Sequence, residues 1–422
     1  MRRILIFLIT YFCLLTTAKS QITWDDTFTP FVSELLSTEA NWENNSDLSA
    51  IDNLVQDKKI IALGEATHGT KEFFTTKHRL IQYLVEEHDF RVFVIEDGYA
   101  NTHLVNEFVA GKSELSVETV LSRSWMGVWR TQEVRDMLLW MKSFNENRSD
   151  SDKVKVYGCD MQWASSPSKF IRSELKKSNL LDDGTEKTLE YLINCNIRKK
   201  MSKHEKKEVK HLLAHLNEIA LNSSNDRLKF SIRVLEQCMD VLWTSKITVS
   251  FSGKRDRYMA ENCRRIHEQE GRKVIVWAHN QHIAEHSDNS KQKPMGAHLK
   301  DYFGDHYYTF GFGFYTGEYF AYDLEKKKVC PCDAGVPKSD CIDRTFAGAP
   351  YENFVLNLKN KELPEELAAL VNSTSWSRRA GAAYVKDNNS DLNYCKRKLS
   401  EGYDALIFIR NSSAVKALPY TP

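Results

Sequence analysis

The sequence has no excess of charge of either sign and no basic stripe. Its 422 residues carry 58 Lys and Arg against 57 Asp and Glu. This balance provides no basic surface of the kind that binds DNA or RNA, so nucleic acid is not expected as a partner. Because 42% of the residues are hydrophobic, 27% are charged and no internal repeat is visible, a disordered tail, a collagen-like chain and a coiled-coil rod are excluded.

Several catalytic and cofactor-binding motifs are missing as well. There is no G-x-S-x-G nucleophile elbow, which disfavours a serine hydrolase of the α/β-hydrolase kind. The G-x-x-x-x-G-K-[ST] phosphate loop, the G-x-G-x-x-G dinucleotide fingerprint and the H-E-x-x-H zinc motif do not occur either. No cofactor or metal is therefore predicted, and general acid–base chemistry on water is the reaction type that remains.

The long apolar run of the sequence lies at its N terminus. Arg2 and Arg3 precede twelve residues from Ile4 to Leu15, and a small-x-small site follows. This pattern is typical of a secretory signal peptide, and the run is too short to span a hydrocarbon core of about 30 Å. We expect residues 1–20 to be removed, which leaves a soluble, secreted or periplasmic protein that starts at Gln21 and has no membrane span.

Eight cysteines remain after the predicted signal peptide, and an even number permits disulfides in an oxidising compartment. Cys330-Pro331-Cys332 and the nearby Cys341 indicate a loop closed by a disulfide. A zinc site is the weaker interpretation of the same cysteines, because a second pair of ligands is missing. We therefore expect a loop closed by a disulfide in this region.

Short apolar runs alternate with amphipathic helical patterns along the chain. Each of four runs ends abruptly in polar residues, as buried parallel strands do. The alternation predicts an α/β fold with three layers, in which helices cover both faces of a mostly parallel sheet. The four predicted strands are Lys59–Leu63, Arg91–Ile95, Lys153–Tyr157 and Lys273–Ala278, and two more near the sheet edge are Tyr307–Phe312 and Ala405–Ile409.

A Lys- and Glu-rich stretch from about residue 166 to 254 interrupts this alternation. Its apolar residues, such as Leu212, Leu216 and Ile219, recur at helical spacing. We interpret the stretch as a helical insertion that caps one end of the sheet, with a solvated surface bundle as the alternative. Residues 21–422 as a whole are predicted to form a single catalytic domain.

Acidic and imidazole side chains follow the predicted strands at the points where they end. They are Glu65, His68, Glu96, Asp160, His279 and His282. In an open parallel sheet the carboxyl ends of the strands converge on the crevice in which ligands bind. We therefore expect these side chains to share one site.

The spacing of these residues leaves two kinds of site open. Glu65 and His68 are three residues apart in a glycine-flanked turn, where the carboxylate can fix the imidazole tautomer and raise its basicity. The plainer interpretation of Glu65 is a helix-capping carboxylate. His279, His282 and His286 form H-x-x-H-x-x-x-H, which could hold a metal, although His286 is predicted to be a surface residue.

At this point the sequence resembles the erythromycin esterase family. The shared blocks are G-E-A-T-H from Gly64, V-I-E from Val94, G-C-D-M-Q from Gly158, W-A-H-N-Q-H-I from Trp277 and M-G-A-H-L from Met295. Their order and spacing hold from about residue 50 to 410. The first and fourth blocks together are fairly specific to the family.

The resemblance implies an esterase that opens ester or lactone bonds, macrolide lactones included. His68 would be the general base on water, supported by Glu65 and Glu96. His279 and His282 would polarise the carbonyl group or protonate the leaving alkoxide. No covalent intermediate, metal or cofactor is implied, and the expected partner is a small-molecule ester or lactone.

Four further side chains are assigned to substrate binding, namely Glu72, Lys77, Trp129 and Asp160. Lys77 departs from the family pattern, because macrolide-resistance members carry an arginine near this position. Arginine offers a planar fork and lysine a point charge. The difference therefore bears on macrolide recognition more than on hydrolysis.

Two other classes of function stay open from the sequence. One is a metal-dependent hydrolase with His68, His279 and His282 as ligands, which metal analysis with and without a chelator separates from the first. The other is a non-catalytic ligand-binding protein, because distant relatives of this fold bind haem. A haem absorption band, or inertness toward esters, would favour that class.

Overall fold

The structure is a computed structural model that describes residues 23–124, 127–195, 201–243, 249–287, 292–387 and 390–420. The predicted signal peptide, residues 1–20, lies outside these ranges and stays a prediction. Within them, no helix combines the length and the apolar composition that a membrane span requires.

The described chain contains twelve strands, of which ten form one large sheet. They are β1 (Val32–Glu34), β2 (Ile60–Leu63), β3 (Phe90–Gly98), β4 (Lys155–Asp160), β5 (Lys273–Trp277), β6 (Tyr307–Asp323), β7 (Lys328–Asp333), β8 (Asn353–Asn357), β9 (Ser375–Arg378), β10 (Ala383–Tyr384), β11 (Tyr394–Arg397) and β12 (Ala405–Ser412). The main path across the sheet is β1-β8-β12-β6-β2-β5-β3-β4. Along this path, neighbouring strands from β12 to β4 are parallel. β8 is antiparallel to β12, and β1 is antiparallel to β8.

Fifteen α-helices occur in the described ranges. They are α1 (Asp52–Val55), α2 (Lys71–Glu87), α3 (His103–Val109), α4 (Val117–Ser124), α5 (Gln132–Asn145), α6 (Ser165–Lys177), α7 (Asp183–Asn194), α8 (Lys203–Asn222), α9 (Asp226–Trp243), α10 (Val249–Glu270), α11 (Asn280–Ile283), α12 (Met295–Phe303), α13 (Ile342–Phe346), α14 (Glu365–Asn372) and α15 (Leu399–Gly402). Short 3₁₀ helices cover Asp26–Phe31, Leu48–Ile51, Tyr99–Thr102, Gly127–Trp129, Gly304–His306 and Asp391–Asn393.

The central strands bury side chains on both faces of the sheet. In β2, Ile60 and Ala62 belong to the apolar core on one face, and Ile61 and Leu63 to the core on the other. Because successive side chains of a strand point to opposite faces, helices on both sides explain this continuous apolar run. The predicted three-layer α/β fold with a mostly parallel sheet is confirmed.

Two strands predicted near the sheet edge lie in its interior. β6 pairs with both β2 and β12, and β12 pairs with both β6 and β8. The edge on this side is formed by β8 and β1, which the sequence pattern did not predict. Apolar runs report burial on the two faces of a strand, but they carry no information about which strand is the neighbour.

The predicted disulfide loop is wrong. Cys330 and Cys332 belong to β7, which pairs with β6 in a regular antiparallel ladder, and both thiols are free. Cys341 is free too, and its sulfur donates a hydrogen bond to Asp343 at 2.9 Å. This segment is therefore a strand held by backbone hydrogen bonds to β6, and the expected disulfide-closed loop is absent from it.

The stretch interpreted as a helical insertion contains α6 to α9 and the first residues of α10. α10 then packs against β3, β4 and β5. Ile171, Leu189 and Val209 of this stretch belong to one apolar core with Ala62 and Val94 of the sheet. The interpretation as a helical insertion that caps one end of the sheet stays a prediction. The assignment of residues 21–422 to a single catalytic domain stays a prediction.

The register of the parallel strands brings their carboxyl ends together. Trp277 on β5 pairs with Leu63 on β2 and with Ile95 on β3. Ile95 in turn pairs with Gly158 on β4. Each of these residues lies one or two positions before a predicted site residue, so the sheet itself aligns the polar side chains along one edge.

Candidate active site

The turn after β2 is held by a close contact between Gly64 and Asn280. A Cβ on Gly64 would lie 2.1 Å from Oδ1 of Asn280, so glycine is required beside this side chain. Asn280 reaches across to β6, where its Nδ2 donates to the Phe312 carbonyl at 2.7 Å. This packing fixes the start of the turn that carries Glu65 and His68.

Glu65 and His68 form a hydrogen-bonded pair. Nδ1 of His68 lies 2.5 Å from Oε1 of Glu65, which is fully buried, and Trp277 Nε1 donates to Oε2 at 2.8 Å. The carboxylate assigns the ring proton to Nδ1, which leaves Nε2 as the basic nitrogen. No described residue bonds Nε2, and the side chain is 16% exposed. Solvent therefore reaches the ring, on which Nε2 is the nitrogen without a bond from a described residue.

Lys77 and Trp129, two of the predicted substrate-binding residues, lie behind this pair. Lys77 is fully buried, its amine pairs with Glu65, and it lies 3.8 Å from the centre of the Trp277 ring. Burial lowers the pKa of Lys77 to about 8, although Glu65 opposes the shift. Trp129 is buried as well, edge-on to His68 with 5.7 Å between the ring centroids. Both side chains support the histidine from inside the protein.

Glu96 connects the end of β3 to both downstream histidines. Its Oε2 accepts from the backbone N–H of His279 at 2.9 Å, and its Oε1 lies 3.2 Å from Nε2 of His282. Nη2 of Arg255 donates to the same Oε1 at 2.7 Å. Burial alone would raise the pKa of Glu96, but His282 and Arg255 hold it well below its usual range. Glu96 is therefore an anion.

His282 lies between two carboxylates. Its Nδ1 is 2.6 Å from Oδ1 of Asp256, and its Nε2 faces Glu96. Burial and the neighbouring Arg255 favour the neutral ring, yet the two carboxylates together raise the pKa of His282 to about 10. The ring is therefore an imidazolium at neutral pH.

His279 is the opposite case, a buried neutral imidazole. Burial lowers the pKa of His279 well below its usual range, and nearby His68 adds to the effect. Its Nδ1 accepts from the backbone N–H of Gln281 at 3.2 Å, so the ring proton is on Nε2, 3.3 Å from the Ala66 carbonyl. The ring centroids of His279 and His68 are 5.1 Å apart. The neutral imidazole of His279 thus stands beside the predicted base, whereas the charged ring of His282 contacts Glu96 and Asp256.

Arg255 is one of the site residues that sequence reasoning missed; Asp256 is another. It binds Asp160 through two parallel contacts, Nε to Oδ1 at 3.0 Å and Nη2 to Oδ2 at 2.8 Å. Asp160, which the sequence assigned to substrate binding, thus holds an arginine of α10. Through Arg255 the end of β4 is tied to Glu96.

A signal for α10 was present in the sequence. Asp256, Met259, Cys263 and Ile266 are three or four residues apart and are all buried. An aspartate in an otherwise apolar helical stripe needs a hydrogen-bonding partner, because burying a charge alone is costly. That partner is His282, in the short helix α11 that follows β5.

Glu72 contacts the C-terminal part of the chain. Its Oε2 accepts from the backbone N–H of Ser413 at 2.6 Å, and it makes no contact with the site histidines among the described residues. This carboxylate therefore anchors the segment after β12 to the start of α2.

The site histidines do not form a metal-ligand set in the described part of the chain. There, only Asp323, Cys330 and Cys332 bring three ligand atoms within 4.8 Å of one another, at the β6–β7 hairpin. Both nitrogens of His282 already face charged partners.

We expect Asp256→Asn to weaken the pH dependence of stability that His282 causes. A histidine whose pKa is raised in the folded state stabilises fully below its unfolded pKa of about 6.5, and this contribution disappears as the pH rises through about 10. The difference in unfolding free energy between wild type and variant should thus be largest near pH 6 and shrink toward pH 10, as urea titrations at stepped pH would show. A constant difference over this range would contradict the assigned imidazolium.

The chain is similar to proteins of one family. The family model described as Erythromycin esterase matches residues 85–412. Erythromycin esterase type II of Escherichia coli is 21% identical, in an alignment that covers 88% of this chain and 94% of that protein. A crystal structure of a Bacillus cereus protein has a TM-score of 0.80 at 25% identity, with 93% of this chain and 98% of that chain covered. A mutant of erythromycin esterase EreC in its open conformation shares the fold, with a TM-score of 0.67 at 18% identity over 93% of this chain and 99% of that one. The chain therefore belongs to the erythromycin esterase family, and this membership indicates a hydrolase.

Proposed function

We propose that the protein hydrolyses carboxylic esters or lactones, with His68 as the general base on water. The observation that carries the proposal is the 2.5 Å contact between Glu65 and Nδ1 of His68, because it leaves Nε2 basic and open. Membership of a hydrolase family supports it, and so does the absence of a nucleophile motif in the sequence. An imidazole suits this task because its usual pKa lies near neutral pH.

In the proposed mechanism, water attacks the carbonyl carbon while Nε2 of His68 takes one of its protons. Glu65 stabilises the imidazolium that forms, and Lys77 and Trp277 hold Glu65 in position. The bond between the acyl carbon and the alkoxide oxygen then breaks, and His68 returns its proton to the alkoxide. One water is consumed, and a carboxylic acid and an alcohol are formed.

The two downstream histidines are suited to the charge that develops on the carbonyl oxygen. The Nε2–H of neutral His279 is only weakly engaged with the Ala66 carbonyl at 3.3 Å, so it can turn to a stronger acceptor such as an oxyanion. The imidazolium of His282 lies between Asp256 and Glu96, so it holds Glu96 against the backbone N–H of His279. We propose these roles for both residues.

The proposal is tested by an activity screen of the chain that begins at Gln21. Macrolides, simple lactones and aryl esters are incubated with the protein, and mass spectrometry detects products heavier by one water. We expect turnover within at least one class, unchanged after dialysis against a chelator. Inertness across the panel would contradict the proposal, and activity that a chelator removes and added metal restores would favour the metal-dependent alternative.

A further inference from the structure

The hairpin of β6 and β7 brings two thiols and a carboxylate together. Cys330 and Cys332 are two residues apart on β7, so their side chains point to the same face of the strand. The register pairs Cys330 with Ala321 and Lys328 with Asp323, which places Asp323 of β6 on that face as well. Ligand atoms of Asp323, Cys330 and Cys332 lie within 4.8 Å of one another.

The spacing of these three groups suits a tetrahedral zinc ion. Zinc binds cysteine sulfur at about 2.3 Å and carboxylate oxygen at about 2.1 Å, so two tetrahedral ligand atoms are about 3.6–3.8 Å apart. Side chains already within 4.8 Å reach this spacing by small rotations. Cys330 is partly exposed, so a water molecule can supply the fourth ligand. Sulfur ligands favour zinc over magnesium and calcium, which bind oxygen.

The carboxylate of Asp323 is oriented by the turn that follows it. Its Oδ1 accepts from the backbone N–H groups of Glu325 and Lys326, both at 2.9 Å. Its Oδ2 lies 3.0 Å from the ammonium of Lys326, a side chain that is 56% exposed. Water screens such an exposed ion pair, so it is weak. The carboxylate can therefore exchange this lysine for a stronger cation.

The two thiols make few contacts that a metal ion would have to break. Both are free of disulfides, and Sγ of Cys332 lies 3.3 Å from the carbonyl oxygen of Cys330 and 3.9 Å from that of Ala321. These contacts are weak because a thiol is a poor hydrogen-bond donor. On binding, each thiol would release its proton to water and coordinate the ion as a thiolate.

We propose that Asp323, Cys330 and Cys332 bind one zinc ion that holds β7 against β6. The inference goes beyond the proposed hydrolytic function, in whose mechanism this ion takes no part. The same hairpin packs on the turn after β2, because Phe320 N–H donates to the Gly69 carbonyl at 2.9 Å. A Cβ on Gly69 would lie only 1.9 Å from the Phe320 carbonyl oxygen. The ion should therefore stabilise the fold beside the active site without changing the rate of hydrolysis.

The test measures metal binding to the reduced chain that begins at Gln21, after dialysis against a chelator. We expect Co²⁺ to give a sulfur-to-cobalt charge-transfer band in the near ultraviolet that saturates at about one ion per chain. Zinc should displace the cobalt and raise the melting temperature. Cys330→Ser combined with Cys332→Ser should abolish the band. Asp323→Asn keeps an acceptor for the turn and should weaken zinc binding by about tenfold or more.

Lys326→Gln tests the competing cation at an exposed position, where folding is not at risk. Loss of the ammonium should tighten zinc binding by about two- to fivefold, the usual strength of an exposed ion pair. Cys195→Ser is the matched thiol control, because Cys195 lies at the end of α7, outside this cluster, and the band should not change.

Absence of the cobalt band in the wild-type protein, or a band that the double cysteine variant retains, overturns the proposed site. Zinc affinity that neither Asp323→Asn nor Lys326→Gln alters overturns it as well. Rates of ester hydrolysis should be equal with and without zinc, so failure of the metal site leaves the proposed function intact.

Discussion

Replacing His68 by alanine should lower kcat by about 10²- to 10⁴-fold, the usual contribution of a positioned general base. The melting temperature should change little, because Glu65 keeps its contacts with Lys77 and Trp277 when the imidazole is removed. Initial rates on a substrate found in the screen, together with a thermal melt, measure both effects. Added imidazole should restore part of the activity, since it can occupy the space left by the ring.

The control for this experiment is His211→Ala. His211 is exposed on α8 and belongs to no described site contact, so its removal should leave the rate unchanged. Restoration by imidazole distinguishes a chemical role of His68 from a structural one, because a misfolded variant is not rescued by a small base. Full activity of His68→Ala would refute the role proposed for this residue.

Replacing Lys77 by methionine should destabilise the protein by about 3–5 kcal/mol, because it leaves the buried carboxylate of Glu65 without its cation. Methionine has a similar shape, so lost packing contributes little. Urea unfolding at neutral pH measures the change. Adding Glu65→Gln to the same chain removes the unpaired charge and should recover most of the stability while activity stays low.

Lys71→Met provides a comparison on the same helix. Lys71 pairs with Glu39 at 2.7 Å, but the two side chains are 37% and 49% exposed, so water screens the pair. Its loss should cost less than about 1 kcal/mol. Equal costs for the two substitutions would show that the charge of Lys77 is not what stabilises Glu65.

The burial of Lys77 also changes how its difference from the family's arginine is understood. From the sequence, this departure bears on direct recognition of a macrolide. In the structure the amine pairs with Glu65 and lies against Trp277, so we propose that it affects substrates through the orientation of Glu65 and His68. An effect of Lys77→Arg should therefore appear in kcat for all substrates more than in the KM of one.

The sequence by itself predicted six of the twelve strands of the described chain and the polar residues at the carboxyl ends of four of them. These predictions succeeded because they depend on local patterns, namely an apolar run that ends abruptly at Glu65, Glu96, Asp160 or His279. The parallel register then brings such ends together in any sheet of this kind. The pairing of Glu65 with His68 was also foreseeable, since the two are three residues apart in one turn.

The tertiary structure alone decided the order of the strands, the protonation of the histidines and the contribution of α10. Neighbours in a sheet are chosen by packing between segments distant in sequence, so no local pattern places β6 between β2 and β12. Whether an imidazole is charged depends on what surrounds it: His282 lies between Asp256 and Glu96, whereas His279 is buried without such a pair of anions. These environments are created only when the chain has folded, because the carboxylates that set them come from other elements.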